Sequence, residues 1–234
     1  MSHVLQKELD HLKRMILSLS AVVEESVANA VRAVERRDPQ LAQRIIDADR
    51  MIDLTEVDIE EECLKVMALH QPVASDLRFL AAALKINGDL ERIGDLAVNV
   101  AERAVFLSSR EPLAHPPIDL GLMADKVQAM LRQSLDALVN MDSRLAHQIG
   151  ALDDEVDNLN RDNFTSIQNE IPKDLPHIES LMQYLSISRY LERIADHASN
   201  IAEDVVYLIE GSIIRHKASE SQISPPRNPE NPES

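Results

Sequence analysis

The chain has 234 residues, and its 40 acidic and 24 basic side chains give a formal net charge of −16. With 5 glycines, 11 prolines and 3% aromatic residues, the composition excludes collagen-like and low-complexity proteins. It also argues against a turn-rich β sandwich, which leaves long helices. The acidic balance argues against nucleic acid as a direct ligand, because binding to phosphates needs a basic surface.

Short uncharged runs and a single cysteine predict a cytoplasmic protein. The longest uncharged runs, 15–23 and 66–75, fall short of the roughly 18 to 20 apolar residues that a membrane span requires. The first ten residues include acids and no apolar signal core. Cys63 has no partner for an intramolecular disulfide, and its place in a helical apolar pattern favours core filling over a catalytic thiol.

Prolines divide the chain into long segments in which apolar residues recur at helical spacing. Asp38 followed by Pro39 predicts a helix start, because an N-cap acceptor before a first-turn proline is the preferred order. The three prolines within 111–118 predict a link between two halves. Residues 217–234 are polar and proline-rich, and we expect them to be disordered. The pattern predicts six helices, at 3–37, 39–69, 73–109, 119–140, 143–170 and 175–212.

The two halves of the chain repeat one another. The apolar series that begins at Leu41 recurs from Leu145, 104 residues later, and this offset pairs Asp38 with Asp142 as a second predicted cap. Residues 90–102, LERIGDLAVNVAE, align with residues 191–203, LERIADHASNIAE, at an offset of 101. We therefore predict an all-α fold of two tandem, pseudo-symmetric three-helix bundles, residues 1–111 and 118–215, followed by the disordered tail 217–234.

The repeated segments carry acids at helical spacing. Successive helix residues turn by about 100°, so acids and amides three or four apart share one face. Like charges at this spacing repel, and a shared hard cation such as Fe, Mn, Mg or Ca would offset the repulsion; Zn is a further candidate. The alternative is a solvated acidic surface without metal. The candidate ligands are Asp49, Asp53, Glu91, Asp95, Asn99, Asp153, Asp157, Glu192, Asp196 and Asn200.

We expect the two halves to bind metal unequally. Glu56 and Glu60 extend the acidic series of the first half, whereas Asn160 and Phe164 stand at the matching positions of the second. His197 follows Asp196 and is either a peripheral ligand or an interface residue. A Glu8-x-x-His11 pair has the spacing found in di-iron bundles, but those need two such pairs.

Arg92 and Arg193 are equivalent in the repeat. For both we favour an ion pair with an acid of a neighbouring helix over an anion site.

The duplicated LERI-[GA]-D segment, with Asp49 and Asp53 and with residues 71–78, QPVASDLR, resembles the PhoU family of bacterial phosphate-uptake regulators. The resemblance extends over about residues 3–215 and is specific in its motifs. It implies two related three-helix bundles and a cytoplasmic protein that forms homodimers. It also implies metal binding through the acidic pairs Asp49/Asp53, Glu91/Asp95, Asp153/Asp157 and Glu192/Asp196.

The function that the resemblance implies is negative regulation of the phosphate-starvation response and of phosphate uptake. Such a protein is an adaptor between the ATPase subunit of the phosphate ABC transporter and the phosphate-sensing histidine kinase, and it lies at the membrane only through these partners. We do not expect an enzyme. The alternatives are a carboxylate-bridged metalloenzyme on a helical bundle, and a helical scaffold unrelated to phosphate. The repeated polar residues disfavour the scaffold, because a scaffold needs only the apolar pattern.

Overall fold

A computed structural model describes residues 3–113 and 116–212. Within these residues the chain forms six long α-helices and one short 3-10 turn. The α-helices are α1 (His3–Arg36), α2 (Pro39–His70), α3 (Ser75–Ser108), α4 (Leu120–Asn140), α5 (Ser143–Glu170) and α6 (Ile178–Glu210).

The predicted helices are confirmed in number and order, and one boundary differs in kind. The sixth predicted helix begins with a 3-10 turn at Leu175–His177, and α6 proper starts only at Ile178. Pro176 lies within that turn and has no backbone N–H to donate, so this segment makes fewer helical hydrogen bonds. The predicted disordered tail, 217–234, lies outside the described residues.

Two aspartates cap the middle helices of the two halves, as the repeat predicts. The Asp38 carboxylate accepts a hydrogen bond from the backbone N–H of Leu41 at 2.9 Å. The Asp142 carboxylate accepts from the N–H groups of Arg144 and Leu145 at 3.0 and 3.1 Å. These bonds satisfy helix N-terminal donors that have no partner inside the helix.

Helices α1–α3 pack on one another, as do α4–α6, and the two bundles meet where α3 lies against α6 and α1 against α4. The α3 and α6 helices run antiparallel. Lys85, early in α3, donates to Asp204, late in α6, at 3.2 Å, whereas Arg103, late in α3, donates to Gln183, early in α6, at 3.3 Å. One continuous apolar core joins the bundles. The prediction of two tandem three-helix bundles is therefore confirmed.

Among the residues described, none of the helices carries an apolar stretch long enough to cross a membrane.

Candidate metal centres

The first acidic cluster lies where α2 crosses α3. Asp49 and Asp53 lie on one face of α2 and Asp95 lies on α3, and one carboxylate oxygen from each is within 4.8 Å of the other two. Gly94 permits this close crossing. A Cβ at Gly94 would lie 3.2 Å from both Cδ1 and Cγ2 of Ile52 and 3.5 Å from Oδ1 of Asp49.

The second cluster lies at the equivalent crossing of α5 and α6. It joins Asp157 with Glu192 and Asp196, again with one oxygen from each within 4.8 Å of the other two. By the repeat these residues correspond to Asp53, Glu91 and Asp95. The two clusters therefore share two positions and differ at the third, where the first half uses Asp49.

The two acids that complete the symmetric sets lie close by. Glu91 borders the first cluster. Its pKa is raised mainly by burial and, to a smaller extent, by the charge of Asp95. Asp153 borders the second, and burial together with the charges of Asp196 and Asp157 raises its pKa to about 6. Each crossing thus gathers four acids that influence one another.

Burial and mutual repulsion make these carboxyls hard to ionise. Burial raises the pKa of Asp49 to about 6, with smaller contributions from Asp53 and Asp95. Burial is also the main cause of the raised pKa values of Glu192 and Asp196, and Asp157 repels both. A bound cation would favour the ionised carboxylates, because its positive charge would offset their mutual repulsion.

The donor set fits a hard cation. Every member of both clusters offers carboxylate oxygen, the ligand type that Mg, Mn, Ca and Fe favour. Asp153 adds a second indication. Its Oδ1 is buried without a hydrogen bond of normal geometry among the described residues, although the Ser199 hydroxyl beside it partly offsets the rise in its pKa. A buried oxygen without a full partner is able to accept a water molecule or a bound ion.

The side-chain Nδ2 groups of the two predicted asparagine ligands donate to groups outside the clustered carboxylates. Asn99 donates from Nδ2 to the backbone oxygen of Asp95 on its own helix at 2.9 Å. Asn200 points across the seam between the halves, with Nδ2 3.5 Å from Oδ1 of Asp89. His197 contacts the same Asp89 oxygen through Nδ1 at 2.8 Å, so it lies at the interface and is not among the clustered residues. The repeat did not single out Asp89, because the equivalent residue in the second half is Tyr190.

The predicted partner of Arg92 was wrong. Its guanidinium lies 3.4 Å from Glu91 and 3.5 Å from Asp95, both on its own helix α3. Arg92 is mostly exposed, so these pairs are weak and leave the acids available. Arg193, the equivalent residue in α6, likewise lowers the pKa of Asp196 on its own helix.

The halves differ beside the clusters, at the positions where the sequence predicted a difference. Nδ2 of Asn87 donates to the backbone oxygen of Glu56 at 2.9 Å and to its Oε1 at 3.2 Å. Burial is the largest cause of a raised pKa of the Glu56 carboxyl, and the charges of Glu60 and Asp53 add to it. In the second half, Asn160 accepts from Ser188 at 2.9 Å, and Ser188 accepts from Asn163 at 3.0 Å. A neutral hydrogen-bond network therefore replaces an acid in the second half.

Comparison with known proteins identifies the family. A family model described as the PhoU domain matches residues 16–104 and again residues 120–205. The chain belongs to the PhoU family. Among its PhoU relatives, the phosphate-specific transport system accessory protein PhoU homolog of Aquifex aeolicus is 38% identical over 211 residues, which is 90% of this chain and 95% of the relative. The homolog of Pseudomonas putida is 34% identical over 209 residues, covering 89% and 82% of the two chains.

Solved PhoU structures share the architecture. The crystal structure of PhoU from Pseudomonas aeruginosa superposes with a TM-score of 0.86 at 35% sequence identity, covering 88% of this chain and 99% of that one. The phosphate transport system regulatory protein PhoU from Streptococcus pneumoniae gives a TM-score of 0.82 at 32% identity, with 90% and 99% covered. The double bundle is thus the fold of the family.

Proposed function

We propose that this chain is a negative regulator of the phosphate-starvation response and of phosphate uptake. It acts as an adaptor in the cytoplasm between the ATPase subunit of a phosphate ABC transporter and a phosphate-sensing histidine kinase, and it is not an enzyme. The observation that carries the proposal is the similarity, over most of the chain, to proteins named phosphate-specific transport system accessory protein. The fold agrees with this role, because helices of 34 residues, about 50 Å long, offer broad faces for helix packing.

We further propose that the acidic clusters bind divalent metal. Asp49, Asp53 and Asp95 would hold one ion with Glu91 nearby, and Asp157, Glu192 and Asp196 another with Asp153 nearby. A bound cation would lock α2 to α3 and α5 to α6 by replacing repulsion with attraction. The acidic Glu56 and the neutral Asn160 beside the two clusters favour stronger binding in the first half.

Deletion of the gene tests the regulatory role. In a deletion strain grown in abundant phosphate, a reporter for a phosphate-starvation promoter should be active, because the kinase is no longer restrained. The full-length wild type should silence the reporter. A reporter that stays silent in the deletion strain would refute the proposed function.

Metal reconstitution tests the clusters. Purified protein is stripped with chelator, incubated with Mn²⁺, desalted and assayed for retained metal and for thermal stability. The wild type should retain metal and melt at a higher temperature, and Asp95→Ala/Asp196→Ala should do neither. Glu25→Ala/Asp125→Ala removes the same charge from two exposed acids, one in each half, and should behave as wild type. Equal metal retention in all three proteins would contradict the assignment.

A further inference from the structure

One face of α2 is apolar although it points to solvent. Met51, Leu54, Val57 and Leu64 are between 46% and 62% exposed. They lie opposite the buried side of the helix, which carries Ile45, Ile52, Ile59 and Cys63. Leu54, Val57, Leu64 and Ala68 follow the alternating three- and four-residue spacing of a helix-packing seam, with Glu61 at the one intervening position. We call Met51, Leu54, Val57 and Leu64 the α2 stripe.

The repeat shows that the fold does not require the α2 stripe. The matching positions of α5 are Glu155, Asn158, Arg161 and Gln168, all polar. Both helices occupy the same place in their bundles, so the second half serves as an internal reference for what this position needs structurally. The apolar character of the first half therefore has another cause, and a contiguous exposed apolar surface is typical of a binding site.

The charge around the α2 stripe indicates what binds there. Residues 50–65 contain six acids against two basic residues, Arg50 and Lys65, and Lys65 is paired with Glu62 at 2.9 Å. A second copy of this chain would bring the same acids face to face, and an anionic lipid surface would be repelled in the same way. A helix with an apolar seam and flanking lysines or arginines complements both features, because its apolar side chains fill the stripe and its cations meet the acids.

We propose that the α2 stripe is the docking surface for a cationic amphipathic helix of a partner protein. This inference rests on the proposed adaptor role, since it assigns one of the adaptor's contacts to a face of the first bundle. The first acidic cluster is next to the stripe, because Asp53 of that cluster lies between Met51 and Leu54 in the sequence. Occupancy of the cluster would therefore reduce the negative charge that the docked helix meets.

Binding of designed peptides to the full chain tests the proposal. Two synthetic helices, each three heptads long with leucine seams, carry either lysines or glutamates beside the seam. The lysine peptide should bind the wild type at least about tenfold more tightly than the glutamate peptide, and its affinity should fall with salt. Equal binding of the two peptides, or no binding of either, would overturn the proposal.

The second half supplies the variant that separates docking from folding. Leu54→Asn/Val57→Arg/Leu64→Gln introduces the residues that α5 already carries, so the bundle should fold normally by circular dichroism. It should lose lysine-peptide binding by at least about tenfold, whereas Val139→Gln, at an exposed apolar residue of α4, should not. Asp58→Asn/Glu61→Gln keeps the apolar seam and should weaken the salt dependence. If the wild type binds neither peptide but sediments as a dimer, and the triple variant sediments as a monomer, the stripe is instead the contact surface for a second copy of the chain.

The reporter strain keeps this inference distinct from the proposed function. If the gene deletion activates the reporter and the triple variant fails to silence it, both stand. Full silencing by the triple variant refutes the docking surface and leaves the regulatory role intact. A deletion that does not activate the reporter refutes the regulatory role, while the peptide measurements still decide whether the stripe binds a cationic helix.

Discussion

Gly94 controls the spacing of α2 and α3 beside the first acidic cluster, and replacing it tests how tightly that crossing is packed. In Gly94→Ala the new Cβ would lie 3.2 Å from two carbon atoms of Ile52, closer than carbon atoms normally pack. The second half carries Ala195 and Val156 at the two equivalent positions, both fully buried. Relative to the first half, the second half thus has one more side-chain carbon at the glycine position and one fewer at the isoleucine position.

The magnitude follows from two opposing effects. Alanine in place of glycine inside a helix gains about 0.5 to 1 kcal/mol, whereas overpacking a core costs about 1 to 3 kcal/mol. We expect Gly94→Ala to lower the free energy of unfolding by about 0.5 to 2 kcal/mol. Ile52→Val alone should cost about 0.5 to 1.5 kcal/mol by leaving a small cavity. The double variant restores the packed volume and keeps the helix gain, so it should be as stable as the wild type or more stable by up to about 1 kcal/mol.

Urea unfolding of the wild type, both single variants and the double variant measures this coupling directly. The two substitutions should be non-additive by at least about 1 kcal/mol, with the double variant more stable than the sum predicts. Additive effects, or a Gly94→Ala variant that is more stable by the full helix gain, would refute the reasoning. Either result would mean that α2 can move away from α3 at little cost.

Three further predictions concern charge and capping. In metal-free protein, the carboxyls of Asp49 and Asp153 have pKa values of about 6, above the ordinary 3.8. The folded state therefore holds these protons more tightly than the unfolded state does, and stability falls as the pH rises from about 4 through 6. The loss of unfolding free energy is at most about 3 kcal/mol per group, and solvent access reduces it to about 1 to 2 kcal/mol. Urea unfolding at a series of pH values should show this loss in the wild type and not in Asp49→Asn/Asp153→Asn. Parallel stability curves for the two proteins would contradict the prediction. Lys85→Met should lower stability by about 1 to 2 kcal/mol in urea, since it removes one partner of the buried Asp204, and an unchanged midpoint would show that its other contacts suffice. Asp142→Ala should cost about 1 kcal/mol in thermal unfolding by removing the α5 cap, and no loss would mean that water replaces it.

The helices and their caps were predictable because they depend on local chemistry. Proline positions, the Asp38-Pro39 pair and the apolar spacing act within a few residues, and the repeat transferred the Asp38 cap to Asp142. The 3-10 turn before α6 was missed, since the sequence pattern alone does not show how far Pro176 delays regular helix.

The side-chain partners were harder to predict. Helical spacing placed Asn99 on the face of the acids, but it did not indicate that Nδ2 of Asn99 donates to the backbone oxygen of Asp95 on its own helix. Asn200 and His197 instead meet Asp89 across the seam between the halves. That contact depends on how two bundles pack, which no spacing within one helix encodes. The acids of the two crossings were identified because the repeat marked them twice.

The antiparallel seam between α3 and α6 makes the chain equivalent to a symmetric dimer joined by a linker. In a true homodimer every substitution appears on both subunits, so the two copies of a surface stay identical. Here a substitution appears once, which lets Glu56 stay acidic while Asn160 is neutral, and lets α2 carry an apolar face while α5 carries a polar one. Covalent joining thus allows one architecture to present two different surfaces.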